Sequence, residues 1–253
     1  MTRAFPFLGI GLTFLASVFL VGAERREKPL GSAAPLVTFG DSVTATRGRT
    51  AVYATLLAHE LLVDGQPTTV INQGIGGNTT KNARDRLQRD VLAARPGVVI
   101  MMFGINDAAI DAWKNPPATA PRVPLADYRE NLVAMIRTLK QQGARIVLMT
   151  PNPIYWSDLT RPRYGKPPYL PDDPDGFNVL LRDYAQAARE IARDENVGLV
   201  DVFAAFKHHE SVAKRKPGAF ARDGMHPDDE GHRIIADLVL EHLTQADPRY
   251  TRK

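Results

Sequence analysis

Pro35-Leu36-Val37-Thr38-Phe39-Gly40-Asp41-Ser42 reads as a short apolar strand that runs straight into a Gly-x-Ser turn. Such a turn presents a hydroxyl at the carboxyl edge of a sheet, where open α/β folds bind their ligands. The chain has 253 residues and only five serines: Ser17, Ser32, Ser42, Ser157 and Ser211. Three further segments follow at wide intervals. They are Asn72-Gln73-Gly74-Ile75-Gly76-Gly77-Asn78-Thr79, Gly104-Ile105-Asn106-Asp107 and Asp223-Gly224-Met225-His226-Pro227. Together they supply a hydroxyl, a glycine amide, a side-chain amide and a histidine with a nearby carboxylate. Acyl transfer through a serine needs those parts.

Strands alternate with helices outward from that turn. Strands are predicted at Leu36–Phe39, Thr69–Asn72, Val98–Phe103, Arg145–Thr150 and Val197–Val202. Val98–Phe103 is unbroken apolar sequence, as expected of a strand buried on both faces. Helices are predicted over Thr50–Val63, Thr79–Ala94, Leu125–Gln142 (closed by Gly143) and Phe177–Glu195. A last helix is capped by Asp228 and ends near Leu243. This alternation implies a parallel sheet with helices on both faces. Two stretches interrupt it. Ala108–Pro124 holds four prolines and Trp113. Pro151–Gly176 holds seven prolines with Tyr155, Trp156, Tyr164 and Tyr169. Both follow strand ends and are expected to overhang the site.

The four segments, in this order, resemble the SGNH hydrolase superfamily (GDSL-type esterases), named for Ser, Gly, Asn and His in separate blocks. The matching residues are Ser42, Gly77, Asn106 and His226, with Asp223 three residues ahead of the histidine. The resemblance runs from about Leu36 to about Leu243. One departure is visible: Val43 stands where the family motif has leucine, at a packing position. The resemblance implies a flavodoxin-like three-layer sandwich with a five-stranded parallel sheet, spanning residues 35–253. It also implies catalytic Ser42, Asp223 and His226. The implied oxyanion hole is built from the Ser42 and Gly77 amides and the Asn106 side chain.

The residues read the same way on their own chemistry. Of six histidines, only His226 has a carboxylate three residues before it and a helix start just after. It is the expected base for Ser42, oriented by Asp223. Asp41 and Asp107 are expected to hydrogen-bond the turn backbones. His59 is expected to be packed or half-buried, and His232 and His242 to lie on helix surfaces. The Gly-x-Ser-x-Gly elbow is absent, because Thr44 occupies its last position. His208-His209-Glu210 lacks a metal-ligand pattern, so no metal and no cofactor are expected.

Composition sets the frame. The chain is 44% hydrophobic and 24% charged, with a formal charge of +4 from 32 basic and 28 acidic residues. Those are ordinary values for one globular domain. The basic residues are scattered apart from Lys214-Arg215-Lys216, so no nucleic-acid partner is expected. Residues 1–23 read as a cleaved signal peptide: one charge (Arg3), an apolar run from Phe5 to Val21, and Val21-Gly22-Ala23 as a cleavage site. A retained anchor is the competing reading. Residues 24–34 read as a linker, and the location is expected to be extracytoplasmic. The absence of cysteine excludes disulfides. The expected substrate is a small acyl ester, with acetyl on a carbohydrate as the leading case, held by Trp113, Tyr155, Trp156 and Tyr164. Simple packing of those aromatics is the equal alternative. Lysophospholipase, thioesterase, arylesterase, acyltransferase and non-catalytic sugar-binding readings stay open, as does the oligomeric state.

Overall fold

The computed structural model describes Met1, residues 34–221 and residues 223–253; the predicted signal segment and nearly all of the predicted linker lie outside these. Eight strands are found among the described residues. They are β1 (Leu36–Gly40), β2 (Leu61–Val63), β3 (Gln66–Pro67), β4 (Val70–Gly74), β5 (Val98–Met102), β6 (Arg145–Met149), β7 (Gly198–Val200) and β8 (Tyr250–Arg252). The helices are α1 (Tyr53–Glu60), α2 (Thr80–Asp90), α3 (Ile105–Ala108), α4 (Leu125–Gln141), α5 (Arg161–Tyr164), α6 (Leu181–Asp194), α7 (Val202–Val212) and α8 (Asp229–Ala246). Five strands form a parallel sheet in the order β4-β1-β5-β6-β7. This is the flavodoxin-like doubly wound arrangement, whose order reverses beside β1.

Side-chain alternation divides the sheet into two cores. Val37 and Phe39 of β1, Val99 and Met101 of β5, and Ile146 and Leu148 of β6 pack under α2, α4 and α6. Leu36, Val98, Ile100, Met102, Val147 and Met149 pack under α1, α7 and α8. Both faces of the central strands are therefore dry, which explains the unbroken apolar run at Val98–Met102.

Several boundaries differ from the sequence reading. The predicted helix Thr50–Val63 begins at Tyr53 and stops at Glu60. Leu61–Val63 instead forms β2, paired with β3 and β8. Asp64 (φ 51°) and Gly65 (φ 74°) make the tight turn of that hairpin, and an Asp-Gly pair favours this turn strongly. The predicted helix Thr79–Ala94 ends at Asp90, with a short 3₁₀ turn at Leu92–Ala94 beyond it. Phe177–Glu195 divides into a 3₁₀ turn (Gly176–Asn178) and α6. Helix α7 was not anticipated; its signal is Asp201, whose side chain accepts from the Ala204 N–H. Asp228 caps α8 as expected, accepting from the Gly231 N–H.

Candidate active site

The register of the sheet brings the site together. Gly40 at the end of β1 lies beside Gly74 of β4 and Met102 of β5, so the three following segments emerge at one edge. Gly40 is required there: a Cβ would fall 2.0 Å from Thr44 Oγ1 and 2.8 Å from the Met102 carbonyl. Beyond it, the Thr44 and Ala45 amides fold back on the Asp41 carbonyl, and Asp41 Oδ1 accepts from the Val43 amide. The turn is thus closed before its side chains do any chemistry. Gly74 is equally constrained, since a Cβ would fall 2.2 Å from the Ala45 nitrogen.

Ser42 and His226 meet above this edge. His226 Nε2 lies 2.9 Å from Ser42 Oγ, and His226 Nδ1 lies 2.6 Å from Asp223 Oδ2. Asp223 Oδ1 accepts from the backbone amides of Met225 (2.9 Å) and His226 (2.7 Å). Burial by itself would raise the Asp223 carboxyl. The His226 ring and the two amides outweigh that effect and hold it well below the usual carboxylate range. Arg47 donates to Asp223 Oδ2 at 3.4 Å, a long contact. Gly224, between the two residues, has φ +81°, and a Cβ there would fall 2.4 Å from the Tyr155 carbonyl.

Asn106 sits just past β5, on α3. Its Nδ2 donates to the Asn78 carbonyl at 3.1 Å and faces Asp41 Oδ2 at 3.4 Å. Gly77 has φ +76°, which favours glycine, and lies exposed beside the turn; a Cβ on neighbouring Gly76 would be 3.9 Å from Ser42 Cβ. Among the described residues, neither the Ser42 amide nor the Gly77 amide donates to another protein group. Both remain available to an oxyanion. Asp41 departs from its usual range: burial pushes it up to about 7, opposed by the Val43 amide. Asp107 is pushed up to about 6 by burial. Asp107 does not hydrogen-bond its own turn in the expected way. It reaches α2, where Oδ1 accepts from the Thr80 amide (2.8 Å) and hydroxyl (2.5 Å).

The expected aromatic platform is largely absent. Tyr155 and Tyr164 are 2% and 6% exposed and pack inward. Trp156 stacks on Phe177, with centroids 4.7 Å apart, and donates Nε1–H to the Asp173 carbonyl. Tyr164 and Tyr169 complete the same cluster. An apolar ring gains more from this dry cluster than from water, so packing wins for these residues. Trp113 alone of the four remains substantially exposed. His59 is exposed, and His232 is almost fully buried, both contrary to expectation. His242 is part-buried.

Residues missed in the sequence complete the site. The Arg86 guanidinium is buried and ties together Asn78 Oδ1 (2.8 Å), the Gln73 carbonyl (2.9 Å) and the Gly40 carbonyl (2.9 Å). It locks the β1 and β4 turns to one another. A lone arginine in a polar helix gives no sequence signal for that role. Arg122 and Asp111, on the loop after α3, were likewise silent. On the His226 side opens a polar cleft of about 380 Å³ lined by Arg47, Arg49, Thr50, Asp223, His226 and Asp228. Ile105 and Met225 border a small apolar cavity of about 10 Å³. Among the described residues, no group of three His, Asp or Glu side chains is placed to hold a metal ion.

A flavodoxin-like sheet with a serine, a histidine and a carboxylate at its carboxyl edge defines a carboxylic ester hydrolase of the SGNH class. Residues 38–234 match the GDSL-like lipase/acylhydrolase family, and the chain belongs to it. Among curated proteins, it is 30% identical to an acetylxylan esterase of Geobacillus stearothermophilus over 177 residues, covering 69% of this chain and 71% of that one. It is 31% identical to the uncharacterized lipoprotein YqeF of Bacillus subtilis (strain 168) over 187 residues, covering 68% and 72%. A crystal structure of the acetylxylan esterase Axe2 of Geobacillus stearothermophilus superposes with a TM-score of 0.65 at 29% identity, covering 84% of this chain and 95% of that one. Three solved variants of Axe2 described as catalytic mutants replace a serine, an aspartate and a histidine by alanine, the aspartate lying three positions before the histidine.

Proposed function

We propose that the protein is an extracytoplasmic serine esterase that removes small acyl groups, acetyl first among them, from carbohydrate esters. The observation that carries this reading is the continuous contact from Ser42 Oγ through the His226 ring to Asp223. In the mechanism, Ser42 Oγ attacks the ester carbonyl carbon while His226 Nε2 takes the hydroxyl proton. The carbonyl oxygen becomes an oxyanion that accepts from the Ser42 and Gly77 amides and the Asn106 side chain. The C–O bond to the alcohol then breaks, and His226 gives the leaving oxygen its proton. Water repeats the sequence on the acyl-enzyme, releasing the carboxylic acid and restoring Ser42. Asp223 holds the imidazole with its proton on Nδ1 and stabilises the transient imidazolium.

Three observations favour a small acyl group on a polar alcohol. The apolar cavity beside Ile105 and Met225 is about 10 Å³, hardly more than one water-sized group needs. A long acyl tail gains about 0.8 kcal/mol per buried methylene, and this cavity is too small to bury one. The cleft beside His226 is lined by charged and hydroxyl groups, as a polyhydroxylated leaving group requires. The Geobacillus stearothermophilus relative that shares the spacing between aspartate and histidine is an acetylxylan esterase. The extracytoplasmic location rests on residues 1–23, read as a signal.

The test is hydrolysis of p-nitrophenyl esters from C2 to C12, alongside acetate release from acetylated xylo-oligosaccharides. kcat/KM should fall from acetyl or butyryl towards octanoyl, and acetate should appear from the saccharide. A preference for C10–C12 esters, with no acetate released, would replace this reading with a lipid esterase.

A further inference from the structure

The loop between α3 and α4 delivers one side chain to the oxyanion side of the site. Arg122 lays its fork on Asp111: Nε is 3.2 Å from both carboxylate oxygens, and Nη2 is 2.7 Å from Oδ1. Lys114 Nζ holds the other side of Asp111 at 2.8 Å. Asp111 is 4% exposed. Burial would raise its carboxyl, yet Arg122 and Lys114 together hold it below its ordinary value. The backbone is fixed as well, because the Arg122 amide donates to the Ala109 carbonyl and the Val123 amide to the Asp107 carbonyl. One guanidinium nitrogen is left over. Nη1 donates to Asn106 Oδ1 at 3.2 Å.

That contact decides which way the Asn106 amide points. With Oδ1 on Arg122, Nδ2 faces the Asn78 carbonyl and Asp41 Oδ2, and all three neighbours are satisfied. Turned over, the amide would set its NH₂ against a guanidinium and its oxygen against two acceptors. The Asn78 contact occupies one Nδ2 proton. The other is held by Asp41 Oδ2 only at 3.4 Å, too long for a strong bond, so an oxyanion can draw it away at little cost. A carbonyl that accepts from a cation also polarises its amide, which makes the remaining N–H a better donor.

We propose that Arg122, clamped by Asp111, is a positioning residue that holds the Asn106 amide with Nδ2–H aimed at the oxyanion. The proposal rests on the reading of Asn106 as an oxyanion donor. Arg122 acts through Asn106 and leaves ground-state binding alone, so its effect belongs in kcat.

Steady-state kinetics on p-nitrophenyl acetate test this with Arg122→Ala, Asn106→Ala and the double variant. Arg122→Ala should lower kcat roughly tenfold, less than the 10²–10³ of a deleted oxyanion donor, with KM within about twofold. In the Asn106→Ala background it should cost nothing further, because the group it positions is gone. Arg122→Lys should recover only part of the loss, since one ammonium cannot grip Asp111 and Asn106 together. An unchanged kcat in Arg122→Ala, the same loss in both backgrounds, or a change in KM alone would each overturn the proposal. If Arg122→Ala melts below the assay temperature, Asp111→Asn and Arg122→Lys carry the same comparison in both backgrounds. An Asn106→Ala enzyme with full kcat would instead overturn the oxyanion reading itself.

Discussion

Ser42 Oγ and His226 Nε2 lie 2.9 Å apart although 184 residues separate them in the chain. Ser42 follows the central strand β1, and His226 comes from the short loop that enters α8. The two meet because both segments end at the carboxyl edge of one parallel sheet. Little of the site depends on flexible side chains. Asp223 is held by two backbone amides, and the Ser42 turn is closed by its own backbone.

Ser42→Ala should abolish turnover of p-nitrophenyl acetate while the melting temperature stays close to that of the wild type. Ser42 is only part-buried and its side chain packs no core. Retained activity in this variant would remove serine catalysis from consideration.

Asp223→Asn should be more damaging than its size suggests. The two backbone amides that point at Oδ1 require an oxygen there, so the new NH₂ would face His226 Nδ1. That arrangement puts the ring proton on Nε2 and leaves no lone pair for the Ser42 proton. A wrong tautomer in a serine–histidine–aspartate site costs roughly 10⁴ in kcat. A loss below about tenfold would mean that another group orients the ring. Asn106→Ala should lower kcat by roughly 10²–10³ with KM little changed. A rise in KM alone would make Asn106 a substrate-binding residue instead.

Gly224→Ala tests how tightly the Asp223–His226 loop is packed. Its φ of +81° is unfavourable to alanine, and the new methyl would press on the Tyr155 carbonyl, 2.4 Å away. Strain of this kind costs on the order of 1–3 kcal/mol. Relief by backbone movement would also carry Asp223 and His226 with it. Both the melting temperature and kcat should therefore fall; a drop in neither would show that the loop has room to adjust.

The parts of the site set by short motifs were legible in the sequence, and those set by long-range packing were not. Ser42, Gly77, Asn106, Asp223 and His226 each sit in a local pattern beside a strand end or a helix start. The strand order followed from the resemblance. Leu61–Val63 was misread because its apolar residues continue the helical spacing of α1, although Asp64-Gly65 marks a hairpin. For Tyr155 and Tyr164 the sequence leaves substrate contact and loop packing equal, because an aromatic in a proline-rich loop looks the same whether it faces water or a partner. Arg86, Arg122 and Asp111 carry no local signature at all; their roles depend on partners as far as 46 residues away. His232 was placed on a helix surface, and only the tertiary structure shows it stacked against Tyr53.

His232 should make the fold sensitive to mild acid. Its ring is 1% exposed, and Nδ1 accepts from the Tyr53 amide at 3.3 Å, which requires an unprotonated nitrogen. Burial pushes its pKa down to about 4 from the ordinary 6.5; Arg47 and His226 add to this, and Asp228 opposes it. Between those values the unfolded chain takes up a proton that the folded chain refuses. The contribution is therefore complete above pH 6.5 and is lost as the pH falls towards 4, on the order of 3 kcal/mol in all. Asp41 and Asp107 act with the opposite sign. Raised by burial to about 7 and about 6, they cost stability as the pH climbs from about 4 through those values. The pH profile of the whole protein mixes these effects, so the His232 share must come from a difference. The gap in melting temperature between wild type and His232→Gln should be widest near pH 7.5 and shrink steadily towards pH 4.5. A gap that stays constant over that range would show that His232 is protonated as readily in the folded state as in the unfolded one.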